Sequence, residues 1–130
     1  MEKKRLAVID DDAAYLQLLC RLLGKEGYEP EMFEQLESSA AAYEAVRAFK
    51  PEVIVLDISL ERPTTGWQTL NFLRLDPDLA HKPVVVCSGD LTGLQDRAWY
   101  LKAKNCEVLP KPYYLADLLA VLAQIEISQL

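Results

Sequence analysis

The chain alternates between short, unbroken apolar runs and stretches where apolar residues recur every three or four positions. Leu6-Ala7-Val8-Ile9, Val53-Ile54-Val55-Leu56 and Val84-Val85-Val86-Cys87 are of the first kind. Such runs are rich in β-branched residues and too short for helices. They predict strands buried on both faces, as in the interior of a parallel sheet. Residues 28 to 33 are partly polar and predict a strand nearer an edge; Glu107-Val108-Leu109 predicts a short fifth strand. Between the strands, Tyr15, Leu16, Leu19, Cys20 and Leu23 follow helical spacing, with Asp12 as N-cap and Gly24 and Gly27 around the helix end. A second helix is predicted from Leu36 to Phe49, closed by Pro51. Ser59 to Gly66 reads as a loop, followed by a short third helix around Trp67, Leu70 and Leu73 that ends at Asp76-Pro77-Asp78. Leu94, Ala98 and Leu101 mark a fourth helix, and Leu115, Leu118, Leu119, Leu122 and Ile125 a last one.

Strand and helix thus alternate five times. Crossovers of this kind demand a parallel sheet with helices on both faces, a doubly wound (βα)5 α/β fold. The 130 residues contain no linker, low-complexity tract or repeat, and predict a single domain over 1–130.

Composition narrows the function classes. Hydrophobic residues make up 51% and charged residues 26%, which is globular rather than disordered. A net charge of −6 and a pI near 4.8 argue against general nucleic-acid binding. Cys20, Cys87 and Cys106 show neither a disulfide framework nor a zinc spacing; each reads as a small buried hydrophobe, Cys20 and Cys87 at the end of apolar runs, which fits a reducing, cytoplasmic setting. No apolar run approaches the roughly 18 residues of a membrane span, and the apolar run after the basic N-terminus is too short for a signal peptide.

The unusual polar residues all fall just after a strand: Asp10-Asp11-Asp12, Asp57, Ser88 and Lys111. In open α/β sheets, ligands bind beyond the carboxyl ends of the strands. Taken singly, Asp10–Asp12 is an acidic helix start, Ser88 a turn residue and Lys111 a solvated loop lysine. Together at one sheet edge they suggest chemistry. Gathered carboxylates repel one another and invite a hard cation such as Mg²⁺. An aspartate can also act as a nucleophile toward phosphorus. Lysine then supplies a fixed positive charge and serine a hydroxyl donor.

With Val8-Ile9-Asp10-Asp11-Asp12, Val53-Ile54-Val55-Leu56-Asp57, Pro83-Val84-Val85-Val86-Cys87-Ser88-Gly89 and Lys111-Pro112-Tyr113 in this order, the chain resembles the receiver domain of bacterial two-component response regulators over essentially its whole length. The resemblance implies a flavodoxin-like sheet of order 2-1-3-4-5. It implies Asp57 as phospho-acceptor, with Mg²⁺ held by Asp10, Asp11, Asp57 and the backbone carbonyl of Ser59. Ser88 would be the switch hydroxyl, Lys111 the phosphoryl-contacting lysine, and Lys111-Pro112 a cis bond. It implies phosphoryl transfer from a histidine kinase or phosphotransfer protein and control of a downstream protein partner. Catalysis would be confined to the domain's own phosphorylation and dephosphorylation, with no direct nucleic-acid contact and no membrane insertion.

Three departures stand out. Pro63 and Gly66 come six and nine residues after Asp57, a longer loop than the family's; Lys104-Asn105 replaces a glycine before strand five; and Val108 replaces the usual switch aromatic. The last moves the expected switch onto Ser88-Gly89-Asp90 and the start of helix four, with Gly89 and Gly93 to absorb the dihedral change and Trp99 exposed beside Tyr113 or Tyr114. Competing readings are a phosphorylation-independent interaction module on this fold, a phosphohydrolase with Asp10 as nucleophile, and a flavin protein. The phosphohydrolase would want threonine where Ala14 stands, and three carboxylates after strand one would repel a flavin phosphate.

Overall fold

The computed structural model describes residues 3–34, 38–59 and 62–129. Its strands are β1 (Lys4–Asp10), β2 (Tyr28–Glu34), β3 (Val53–Asp57), β4 (Val84–Ser88) and β5 (Cys106–Pro110). They form one parallel sheet in the order β2-β1-β3-β4-β5. All ten residues of β3 and β4 are buried, as their unbroken apolar runs require.

Alternate residues of each strand serve opposite faces. Leu6, Val8, Val55 and Val85 meet Leu16, Leu19 and Leu23 of α1 (Ala13–Lys25) and Leu118, Leu122 and Ile125 of α6 (Leu115–Ser128). Ala7, Ile9, Ile54, Leu56 and Val86 meet Val46 of α2 (Ser39–Phe49) and Leu70 and Leu73 of α3 (Pro63–Leu75). Burial of the same face continues with Leu94 of α4 (Leu91–Asp96) and Leu101 of α5 (Ala98–Ala103).

Local signals explain several boundaries. Asp12 caps α1, its carboxylate accepting the Tyr15 N–H at 3.1 Å. Ser38 caps α2 in the same way through Ala41; the expected start at Leu36 lies outside the described residues. Asn105 takes the left-handed backbone (φ 60) at the turn into β5, the position for which the sequence lacks a glycine. Asparagine tolerates that region better than other side chains, so the turn survives the replacement.

Two helices differ from expectation. The third is thirteen residues long and begins at Pro63, so Pro63 to Gly66, the last part of the stretch Ser59 to Gly66 read as loop, is its first turn. Proline suits that first position, and Gly66 is demanded by packing: a Cβ there would lie 2.6 Å from Ile58 Cδ1. The expected fourth helix is two, α4 and α5, each of six residues and joined at Arg97. Arg97 leaves helical geometry (φ −108, ψ 10) where its guanidinium lies 4.4 Å from the ring centroid of Trp67 on α3. Leu94 and Leu101 are buried as predicted, but Ala98 is exposed.

A buried arginine secures the end of the sheet away from the acidic residues. Arg74 of α3 donates to the carbonyls of Leu79, Lys82 and Lys104, at 3.1, 2.7 and 2.7 Å. These carbonyls precede β4 and β5, so one guanidinium sets where both strands begin.

Candidate functional site

The sheet order reverses between β1 and β3, and the crevice at such a reversal is where doubly wound folds bind ligands. Asp10 ends β1 and Asp57 ends β3, so the topology places both carboxylates at that crevice. Each is nearly buried, while Asp11 beside them is exposed. Oxygens of Asp10, Asp11 and Asp57 lie within 4.8 Å of one another. An open cavity of about 630 Å³ covers them, with Ser59, Gly89 and Lys111 also on its wall.

Lys111 reaches into the crevice from the loop after β5, and its bond to Pro112 is cis, as the resemblance implied. Its Nζ lies 2.5 Å from Asp57 Oδ1 and 3.6 Å from Asp10 Oδ2. The Lys111 N–H donates to the Ser88 carbonyl at 2.8 Å, so β4 positions the lysine's backbone. Ser88 is fully buried at the end of β4, and its hydroxyl oxygen accepts the Asp90 N–H at 3.0 Å. Asp90 in turn caps α4, accepting from Gly93 N–H at 3.0 Å. Asp12 stays outside the acidic trio; its N–H donates to Asp10 Oδ1 at 3.0 Å.

Burial dominates the electrostatics. It raises the Asp10 carboxyl to about 6, with the Asp57 charge adding to the effect and the Asp12 N–H opposing it. Burial also raises Asp57, against the opposing bond and charge of Lys111. For Lys111, burial works against the ammonium, but the bond to Asp57 and the charges of Asp57 and Asp10 outweigh it, and its pKa rises. Three carboxylates facing one ammonium are under-neutralised. Their all-oxygen donor set suits a hard divalent cation rather than zinc or copper.

All the predicted site residues therefore converge on one crevice, with Ser88 beneath the wall rather than on it. Two participants were overlooked. Tyr15 and Tyr113 line the same cavity, their hydroxyls 2.6 Å apart. Tyr15 reads in sequence only as a core position of α1, and Tyr113 only as the residue after Lys-Pro. Trp99 is 76% exposed as expected, but its ring neighbour is Tyr100, and Tyr113 turns to Tyr15 instead. Cys87 and Cys106 are buried and Cys20 half-buried, all three as free thiols.

A doubly wound sheet carrying an acidic crevice and a lysine at its switch point defines a receiver-type α/β domain. The family model of the response regulator receiver domain matches residues 6–123, and the chain belongs to that family. It is 31% identical over 116 residues to the response regulator MprA of Mycobacterium ulcerans, and 30% identical to MprA of Mycolicibacterium vanbaalenii. Each match covers 89% of this chain and 47% of the relative, so the chain spans about half the length of these curated relatives. Among solved structures, the chemotaxis protein CheY4 of Vibrio cholerae aligns with a TM-score of 0.77 at 20% identity, over 94% of this chain and 98% of that one. The receiver domain of the Francisella response regulator 1452 aligns with a TM-score of 0.78 at 20% identity, over 98% and 100%. These structural likenesses concern the fold alone. No described helix is long and apolar enough to cross a membrane.

Proposed function

We propose that this receiver takes a phosphoryl group onto Asp57 from a histidine kinase or phosphotransfer protein, and that the modified domain controls a protein partner. The observation that carries the reading is the Lys111 ammonium 2.5 Å from Asp57 Oδ1, with the Asp10 and Asp11 carboxylates beside it. An Asp57 oxygen attacks the phosphorus of a phosphohistidine, forming the aspartyl P–O bond. The P–N bond breaks, and the leaving imidazole keeps the electron pair and takes up a proton. Loss of the group is the attack of water on phosphorus, returning the Asp57 carboxylate, inorganic phosphate and a proton. The domain's chemistry ends there; it acts on no further substrate.

Catalysis of such a transfer is mainly positioning and charge stabilisation. Lys111 moves its ammonium from the Asp57 carboxylate to a phosphoryl oxygen, and the Ser88 hydroxyl donates to another. Asp10, Asp11, Asp57 and the Ser59 carbonyl would hold Mg²⁺. The ion would neutralise charge on the phosphoryl oxygens.

The route out of the site follows from the hydrogen bonds. A Ser88 hydroxyl drawn to a phosphoryl oxygen shifts the oxygen that holds Asp90 N–H. Asp90 is the cap of α4, and Gly93 sits so close to it that a Cβ would lie 2.5 Å from Asp90 Oδ2. Movement at Ser88 therefore reaches α4 through the backbone, with no aromatic ring required at Val108. Trp99 and Tyr114, 76% and 82% exposed, are available as anchors for a protein partner. The acidic balance of the chain supports a protein rather than nucleic acid in that role. Membership of the receiver family and three free cysteines support action in the cytoplasm.

Intact-mass measurement with phosphoramidate and Mg²⁺ tests the reading. The wild-type chain is expected to gain one phosphoryl group and Asp57→Asn none. A phosphoryl group on Asp57→Asn overturns the assignment.

A further inference from the structure

The two rims of the crevice come from strands that do not touch. Asp10 and Asp11 leave β1 and Lys111 leaves β5, with β3 and β4 between them in the sheet. Among the described residues, one ion pair and one side-chain hydrogen bond bridge the rims directly across the mouth. One is the 3.6 Å approach of Lys111 Nζ to Asp10. The other is the 2.6 Å bond between the hydroxyls of Tyr15 and Tyr113. Tyr15 stands on the first turn of α1, three residues after its cap; Tyr113 stands two residues after Lys111. Both rings are half-buried and packed against the core between α1 and α6, so the bond is anchored at each end. The Tyr15 ring centroid also lies 5.6 Å from Lys111 Nζ, within the range where an aromatic ring attracts an ammonium.

We propose that Tyr15 and Tyr113 are a positioning pair that holds the Lys111 ammonium over Asp57 and thereby sets how fast Asp57 gains a phosphoryl group. This rests on Asp57 being the acceptor. Lysine carries its charge on a flexible four-carbon stem. An ammonium that must meet a phosphoryl oxygen at the moment of transfer gains from having its arc restricted beforehand. The tyrosine bond fixes the loop from which the stem springs, and the Tyr15 ring flanks the stem's far end. Neither hydroxyl needs to reach the reacting atoms, because both act through Lys111.

Tyr15→Phe and Tyr113→Phe each break the bond while keeping the ring and its packing. Phosphorylation by phosphoramidate, followed by intact mass, is expected to slow about three- to tenfold in each. Tyr113→Phe also removes a hydrogen bond between Tyr113 and Cys87, so the double variant is expected to match Tyr113→Phe, both substitutions removing the same tyrosine bond. Tyr15→Leu, which also removes the ring, is expected to be slower still. Thermal melts confirm folding, and because either phenylalanine breaks the same bond, one folded variant suffices.

A second readout needs no phosphorylation. In wild type, the Lys111 ε-methylene protons should show a ring-current shift in NMR spectra, reduced in Tyr113→Phe and lost in Tyr15→Leu. A chain that is phosphorylated normally, with phenylalanine variants that match its rate and keep the Lys111 signal, overturns the pair's role. A wild-type chain that gains no phosphoryl group overturns the acceptor reading instead. In that case a Lys111 signal unmoved in Tyr113→Phe refutes the positioning as well, and a moved one upholds it.

Discussion

Asp10→Asn should make the metal-free protein more stable, although it deletes a residue assigned to the functional site. Asp10 is buried at 4% exposure, and its pKa rises from an ordinary 3.8 to about 6. Holding that carboxylate charged at about pH 7 costs about 3 kcal/mol relative to the unfolded chain. The amide keeps an oxygen to accept the Asp12 N–H but loses the charge that faces Lys111 at 3.6 Å. Part of the gain is therefore returned, and a net stabilisation of about 1–2 kcal/mol is expected, or roughly 3–8 °C in Tm. The pH dependence carries the same sign. A group whose pKa is raised by folding contributes stability that is present below its unfolded value and lost as pH rises through the folded one. Relative to the variant, metal-free wild type should lose stability between pH 3.8 and about 6, the difference between the two opening across that range. Mg²⁺ should reverse the ranking. At a concentration one hundred times its Kd it stabilises the binding form by about 2.7 kcal/mol, which the variant largely forgoes. Urea unfolding with chelator and with saturating Mg²⁺, across this pH range, measures all three. A variant less stable than wild type without metal would refute the view of Asp10 as a strained, under-neutralised charge.

Asp11→Ala should sharply weaken Mg²⁺ binding, followed by Trp67 fluorescence, whereas Asp12→Ala should cost about 1 kcal/mol of stability through the lost α1 cap and leave the metal titration nearly unchanged. Asp76→Ala should destabilise by about 3 kcal/mol in urea melts: the buried carboxylate accepts from the Tyr43 hydroxyl at 2.6 Å and the Asp78 N–H at 2.8 Å, and pairs with Arg47 at 3.0 Å, tying α2 to the end of α3. Amide exchange with and without a phosphoryl mimic should change over residues 88 to 100 and in the Lys111 loop; an unchanged 88 to 100 would rule out the backbone route from Ser88 to α4.

The architecture and the place of the candidate site were legible in the sequence, because both are written in local pattern. Unbroken apolar runs marked β1, β3 and β4, since a strand covered by helices on both sides has no polar face to show. Asp10, Asp57 and Ser88 were legible as candidates for one site because each ends such a run, and the carboxyl ends of parallel strands share one edge. The Asp12 cap was legible because capping is settled within four residues. Sheet order came from family resemblance, and the structure agrees with it.

What the tertiary structure decided lies between residues far apart in the chain. Gly66 joins α3 because its missing side chain admits Ile58; read locally, with two threonines before it, it signals a loop. The fourth helix divides at Arg97, whose guanidinium lies over Trp67 on a different element. Arg74 looks like an ordinary helix-end cation until folding brings three backbone carbonyls around it. Tyr15 and Tyr113 stand 98 positions apart, and no periodicity relates them. Helical and strand repeats record only which face of its own element a residue occupies. Which hydroxyl, ring or carbonyl waits opposite that face depends on how the layers pack, and packing is where the clasp beside Lys111 arises.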